Sequence, residues 1–290
     1  MEKLAASGNQ KKPGTRRVMI DILIALAPVT VASVVFFGLK ALIMIAVCVA
    51  ASMLSEFFFN LIAKKPQTAG DLSSAVTGVL LALSLPTDAT LWQCLVGSVF
   101  AVVIVKCAFG GLGKNFANPA VTARVMLFVA FGTLWSGNVS AGASGEVVNG
   151  ATIAIINAIA ILIGAIYLAI RRALAWQIPV VYIAGVFALS FAIGGTLDAA
   201  LGAILGGGLL LGAVFMATDP VTSPKNGWGK AIYALLCAVL TVLIGNFGTY
   251  ATESVYFAIL FMNIITPYLD KMFEKKAKAV EAEAVEEVAE

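Results

Sequence analysis

Gly110-Gly-Leu-Gly-Lys-Asn-Phe-Ala-Asn-Pro-Ala120 separates two long apolar runs, and its reading decides how this chain is built. Three glycines, a lysine, two asparagines and a proline at the edge of a bilayer leave backbone groups that lipid cannot satisfy, so protein or a cavity must shield them. A second break of the same kind, Met216-Ala-Thr-Asp-Pro-Val-Thr-Ser-Pro224, lies in the other half of the chain. Together the two breaks point to a bound ligand.

The runs around these breaks set the class. Sixty per cent hydrophobic residues, 12% charged residues and a mean hydropathy of +0.97 describe an all-α polytopic membrane protein. Apolar segments at about 18–37, 39–62, 72–86, 91–109, 119–135, 152–170, 178–195, 198–217, 230–250 and 254–270 predict ten transmembrane helices. The third is short and ends at Pro86, so it reads as a broken or re-entrant helix. The eighth is crowded with glycines, which permits close helix approach.

Lys and Arg fall on alternate connections: Arg16 and Arg17, Lys64 and Lys65, Lys114, Arg171 and Arg172, Lys225 and Lys230, and the run from Lys271 to Lys278. The intervening loops carry almost none. By the positive-inside rule both termini are expected to be cytoplasmic. The expected organisation is a cytoplasmic segment over 1–17, a five-helix half over 18–135, an extracytoplasmic loop over 136–151, a second five-helix half over 152–270 and a cytoplasmic tail over 271–290. Halves with an odd number of spans make any duplication an inverted one, and the third span of each half is irregular. The polar, basic first 17 residues do not read as a cleavable signal peptide.

The chain has no histidine. This excludes His-ligated haem, a His metal site and a His general base. The four cysteines, Cys48, Cys94, Cys107 and Cys237, stand singly in apolar runs without CxxC spacing and read as packing residues, so an iron–sulfur cluster within this chain is not expected. No metal site is expected, and nothing points to nucleic acid.

Five blocks carry a resemblance: Arg16 to Pro28, Asp71-Leu-Ser-Ser through Pro86, the Gly110 to Ala120 run, the Met216 to Pro224 run, and Ile244-Gly-Asn-Phe-Gly248. In order and spacing they resemble the D subunits of Rnf ferredoxin:NAD+ oxidoreductase complexes, a family homologous to the B subunit of the Na+-translocating NADH:quinone reductase. The resemblance implies a membrane subunit of the bacterial or archaeal cytoplasmic membrane. It implies two flavins: an FMN joined through its phosphate to an extracytoplasmic threonine, and a non-covalent riboflavin nearer the cytoplasm. Its partners would be the A, B, C, E and G subunits, a flavin transferase and the lipid bilayer. Electron transfer would be coupled to Na+ or H+ movement. Nicotinamide chemistry would sit elsewhere, since no G-x-G-x-x-G after a strand is present.

Residues follow from this. Asn115 and Asn118 offer amide donors and acceptors to a flavin's polar edge, with Gly111 and Gly113 removing side-chain bulk. The same segment also reads as a plain turn, with Asn118 capping a helix that begins at Pro119. Lys106 and Arg124 flank it, either as charges near the flavin or as side chains reaching out to the headgroups, the latter favoured for Arg124. Thr218 and Asp219 could serve a cation or flavin, or simply end their helix. Asp21 and Glu56 are expected to pair with nearby Arg or Lys.

Thr152, in Glu146-Val-Val-Asn-Gly-Ala-Thr152, is the candidate acceptor of covalent FMN. Asn149 and Glu146 stand where the family motif has Ser/Thr and Asp, and Thr152 abuts the next apolar run directly. Ser144 is a weaker second acceptor, and absence of the covalent flavin is a third reading. The alternative for the whole chain is a small-solute channel or transporter of similar inverted-repeat plan, and a further one is a scaffold without redox cofactors.

Overall fold

The computed structural model describes residues 14–132, 150–206, 208–247 and 253–289, and every regular element in these residues is helical. The first, α1 (Thr15–Ile62), has 48 residues. Straight, it would run about 72 Å, more than twice the roughly 30 Å hydrocarbon core. It does not run straight. Gly38 adopts φ 67° and ψ −152°, a conformation open only to glycine, and bends α1 into two parts that match the expected spans 18–37 and 39–62.

After a short turn at Ala69–Asp71 comes α2 (Ser73–Ser84), all twelve residues of which are buried. It packs chiefly on α1. At about 18 Å it is too short to span, and it needs no lipid-facing side. The α3 helix (Leu91–Val99) continues as wider π-helical turns over Phe100–Cys107, α4 covers Pro119–Phe131, α5 Gly150–Ile170 and α6 Gln177–Gly194.

The span expected at 198–217, the irregular third one of its half, is bent. α7 (Leu197–Leu205) ends at Gly206, and α8 (Leu209–Leu211, with π-helical turns over Gly212–Met216) sets off at 59° to it. Gly206 and Gly208 stand at the bend, and Gly208 and Gly212 let a neighbouring helix approach closely: a methyl on the first would stand 2.4 Å from the Tyr256 hydroxyl and one on the second 2.8 Å from the Val255 side chain. Next, α9 covers Gly227–Phe247, and α10 runs from Ser254 to Ala289, through the segment read as a tail. Among the described residues four helices are long and apolar enough to cross a membrane, or five if the bent pair is one span. Others, such as α2 and α4, are shorter than the expected spans.

The bundle is apolar outside, and its largely apolar interior holds a set of buried polar groups. On α5, Ile155, Ile159, Leu162, Ile163 and Ile166 are exposed, while Asn157 is buried. Glu56, Lys106 and Arg124 are buried too. That distribution suits a lipid surround, where an interior ion is tolerated only with partners. The main contacts pair α1 with α2 and α5, α6 with α9, and α9 with α10. The start of α1, the first two turns of α2, the end of α3, the start of α4, the end of α5 and the end of α8 all converge on one cleft.

Candidate functional site: a cleft between the two polar breaks

The cleft is partly open to the surroundings, and its enclosed part measures about 80 Å3. Met19, Ile22, Leu80 and Phe215 supply apolar wall; Lys106, Asn115, Asn118, Thr218 and Asp219 supply polar groups. Five residues singled out from the two breaks and their flanks therefore line one space.

The breaks are tied to each other. The Asn118 side chain caps α4, its Oδ1 accepting the backbone N–H groups of Ala120 (3.0 Å) and Val121 (3.3 Å). Its Nδ2 donates to the carbonyl of Met216 (3.2 Å), the first residue of the other break. The Asn118 backbone N–H donates to Asn263 Oδ1 on α10 (3.0 Å), and Asn263 Nδ2 donates to the Thr222 carbonyl (3.2 Å) and lies 2.9 Å from the Tyr233 hydroxyl. Asn118 is thus spent on structure at every side-chain polar atom. Asn263 is a residue that the sequence did not single out; its only signal there is an amide inside an apolar span.

Asn115 differs. Its Nδ2 donates to the Ala117 carbonyl (3.0 Å), but its buried Oδ1 has no partner among the described residues. An acceptor left unpaired in protein costs about 1–3 kcal/mol, and this one borders the cleft. Gly111 and Gly113 do not line it. Their φ values of 91° and 88° show their function instead: a left-handed loop path that side chains resist.

Lys106 does not reach out to headgroups. It is 2% exposed, and its ammonium donates to Glu56 Oε1 (2.9 Å), Ser73 Oγ (2.6 Å) and Ser74 Oγ (3.0 Å). Glu56 also accepts from the Thr68 hydroxyl (2.6 Å) and from Ser74, and Asp71 accepts from the Ser73 N–H (2.8 Å) and hydroxyl. The Asp71-Leu-Ser-Ser block thereby gains a physical role: it carries the hydroxyls that hold Lys106. Asp21 pairs with Arg171 (3.2 Å), so both carboxylates have the basic partners expected of them.

Thr218 donates its hydroxyl to the Val214 carbonyl (2.6 Å) and so finishes its helix. Asp219 accepts from the Val221 N–H (3.3 Å) and the Thr222 hydroxyl (3.0 Å). Enclosure nevertheless pushes its carboxyl above the ordinary aspartate value, the two hydrogen bonds opposing the shift.

The outward reading favoured for Arg124 is also corrected. Arg124 is 1% exposed, pairs with Glu253 just before α10, and stands 5.4 Å over the Tyr256 ring. It faces the bundle because α10 brings a carboxylate to it, a contact between residues 129 apart in sequence. Thr152 lies in the first turn of α5 and is exposed. Ser144, Glu146 and Asn149 lie outside the described residues.

An apolar helical bundle enclosing a cleft beside two polar breaks, with a paired buried lysine and one unspent amide oxygen at its edge, defines a helical membrane protein. The chain belongs to the NQR2, RnfD, RnfE family, whose family model matches residues 9–279. It is 35% identical to the D subunit of the Na+-translocating ferredoxin:NAD+ oxidoreductase complex of Acetobacterium woodii, over 93% of this chain and 92% of that one. It is 34% identical to the D subunit of the proton-translocating ferredoxin:NAD+ oxidoreductase complex of Clostridium ljungdahlii, over 88% and 89%. The D subunit of an ion-translocating oxidoreductase complex from Methanosarcina acetivorans is 31% identical over 90% and 91%.

Proposed function

We propose that this chain is the flavin-carrying D-type subunit of an ion-translocating ferredoxin:NAD+ oxidoreductase complex, passing electrons across the membrane in step with Na+ or H+ movement. The observation that carries the flavin reading is the unspent Asn115 Oδ1 at the edge of a cleft with apolar walls. An isoalloxazine ring presents an imide N–H on a polar edge and a dimethylbenzene on the other. The residues fit such a group: Asn115 Oδ1 would accept the imide hydrogen, while Ile22, Leu80 and Phe215 would cover apolar ring surface. Bound there, a flavin supplies one- and two-electron transfer. Lys106 keeps a positive charge beside the cleft, already screened in part by Glu56. The enclosing apolar walls limit water.

The finer organisation is part of the same proposal. The alternation of Lys and Arg along the sequence supports cytoplasmic termini. The short α2 and the bent α7–α8 pair, each third in its half, support an inverted repeat across ten spans. The A, B, C, E and G subunits would hold the nicotinamide, ferredoxin and iron–sulfur chemistry. Thr152 would take FMN through its phosphate from a flavin transferase; its exposure at the head of α5 leaves the hydroxyl open to that enzyme.

Two measurements test this. On a denaturing gel the wild-type chain should show flavin fluorescence, and Thr152→Ala should lose the band while the chain stays in the membrane. A band that persists moves the attachment elsewhere. Asn115→Leu removes the free acceptor, which is worth about 1–3 kcal/mol, so non-covalent flavin should bind roughly tenfold more weakly with the fluorescent band unchanged. A purified wild-type complex in which this chain holds neither flavin would overturn the reading.

A further inference from the structure

α5 and α6 are joined by residues 171–176, yet they do not pack on each other: α5 rests mainly on α1, and α6 on α9 and α7. Their splay leaves a groove of about 570 Å3, open along one side, which shares only Val214 with the lining of the cleft. Leu162 and Ile166 of α5 and Val180 and Phe187 of α6 form its walls, and Ile204 and Val214 complete it. Every lining side chain is apolar except Trp176, whose indole is 60% exposed at the end where the turn lies. Along α5, Leu162 to Ala169 measures about 10 Å; along α6, Pro179 to Phe187 measures about 12 Å. One leaflet contributes roughly 15 Å of hydrocarbon. The groove therefore matches the chain of a single lipid and stops well short of the roughly 30 Å that a partner's membrane-crossing helix would need.

The turn at its end is basic. Arg171 is held by Asp21 (3.2 Å). Arg172 is exposed and takes part in none of the ion pairs among the described residues. It closes α5 with φ 54°, its N–H donating to the Ala169 carbonyl (3.0 Å) and the Ala173 N–H to the Leu168 carbonyl (2.9 Å), a turn in which glycine is the usual residue. We propose that the α5–α6 groove binds one anionic phospholipid, an acyl chain lying between the helices and the headgroup phosphate against Arg172 and the Trp176 indole N–H. A dry apolar groove facing lipid takes up hydrocarbon, not water. The cation and the indole at its mouth select the headgroup: basic pockets between membrane helices on the cytoplasmic side favour anionic lipids, and Trp sits at headgroup level. The alternation of Lys and Arg puts this turn on that side. The lipid would fill the space between two helices that do not meet, and its site does not depend on the flavin reading.

The test uses the purified full chain, freed of lipid by detergent exchange, with phosphatidylglycerol or phosphatidylcholine of equal chain length added back. Native mass spectrometry counts the lipid retained after washing, and melting temperature is followed on the same samples. Wild type should retain about one phosphatidylglycerol, with a saturable rise in melting temperature, and should prefer it at least fivefold to phosphatidylcholine. Arg172→Gly suits the left-handed turn, so the chain should fold as before yet lose most of that preference, since one basic residue at a membrane surface contributes about fivefold. Ala184→Trp, at an exposed position on the groove wall, should abolish retention of either lipid. A wild type that binds both lipids equally carries only loose surface lipid, and the proposal fails. It fails equally if Arg172→Gly keeps the full preference or Ala184→Trp keeps its lipid. In Ala184→Cys, labelling by a lipid-soluble maleimide in the lone chain but not in the lipid-free complex would put a partner's helix in the groove and overturn it.

Discussion

Lys106→Met is expected to destabilise the chain by about 3–5 kcal/mol, the range for removing one partner of a buried ion pair. The cause is less the lost attraction than the carboxylate left behind. Glu56 is 1% exposed and would keep only the hydroxyls of Thr68 and Ser74, too little to hold a charge in a bundle surrounded by lipid. Thermal unfolding of the purified chain measures the loss. The companion variant Lys106→Met with Glu56→Gln removes both charges and should recover most of the stability. If Lys106 also acts on the bound flavin, the double variant should keep a lowered flavin reduction potential despite its recovered fold, because the positive charge beside the cleft is gone. A potential equal to wild type would confine Lys106 to structure.

Asn263→Leu is the second change with a large effect. It strands the Asn118 backbone N–H and the Thr222 carbonyl in one step and takes a donor from the Tyr233 hydroxyl, which keeps Cys237 as a partner. Each stranded group costs about 1–3 kcal/mol, though the two will not add fully. The functional consequence should exceed the energetic one. Asn263 holds the Asn118 end of one break and the Thr222 end of the other, so its loss loosens the two walls of the cleft and leaves the Asn118–Met216 bond to join them. Non-covalent flavin should fall to a small fraction of wild type, while fluorescence from any covalent flavin at the head of α5 remains. Asn263→Asp keeps the acceptor for Asn118 but loses both amide donor contacts, and should fall between. Equal flavin retention in all three proteins would show that the clasp does not shape the site.

Much of this was legible in the sequence, for physical reasons. The two breaks announced themselves because polar, glycine-rich backbone has no place in lipid, and the cap at Asn118 follows from an asparagine before a proline. The pairing of Asp21 and Glu56 with basic residues follows from the cost of a lone buried charge. Other features depend on what the fold brings near. Asn263 and Asn118 are 145 residues apart, and nothing local to either marks the other. Whether Lys106 and Arg124 point inward or outward depends on whether a carboxylate meets them, and Arg124 meets Glu253 only across the bundle. The glycines of the eighth span announced irregularity and close packing, but the angle of 59° between α7 and α8 depends on the neighbours they meet.

The complete burial of α2 bears on how the protein is made. A twelve-residue segment cannot be integrated into a bilayer as a unit of its own, since it neither spans the hydrocarbon nor presents a face to it. It becomes a membrane element only by docking onto helices already inserted, α1 foremost. Ser73 and Ser74 arrive with it, and Lys106 lacks two of its three acceptors until they do. The polar network beside the cleft therefore forms only once α2 has docked, and a defect in α2 should surface as a chain that is inserted yet never matures.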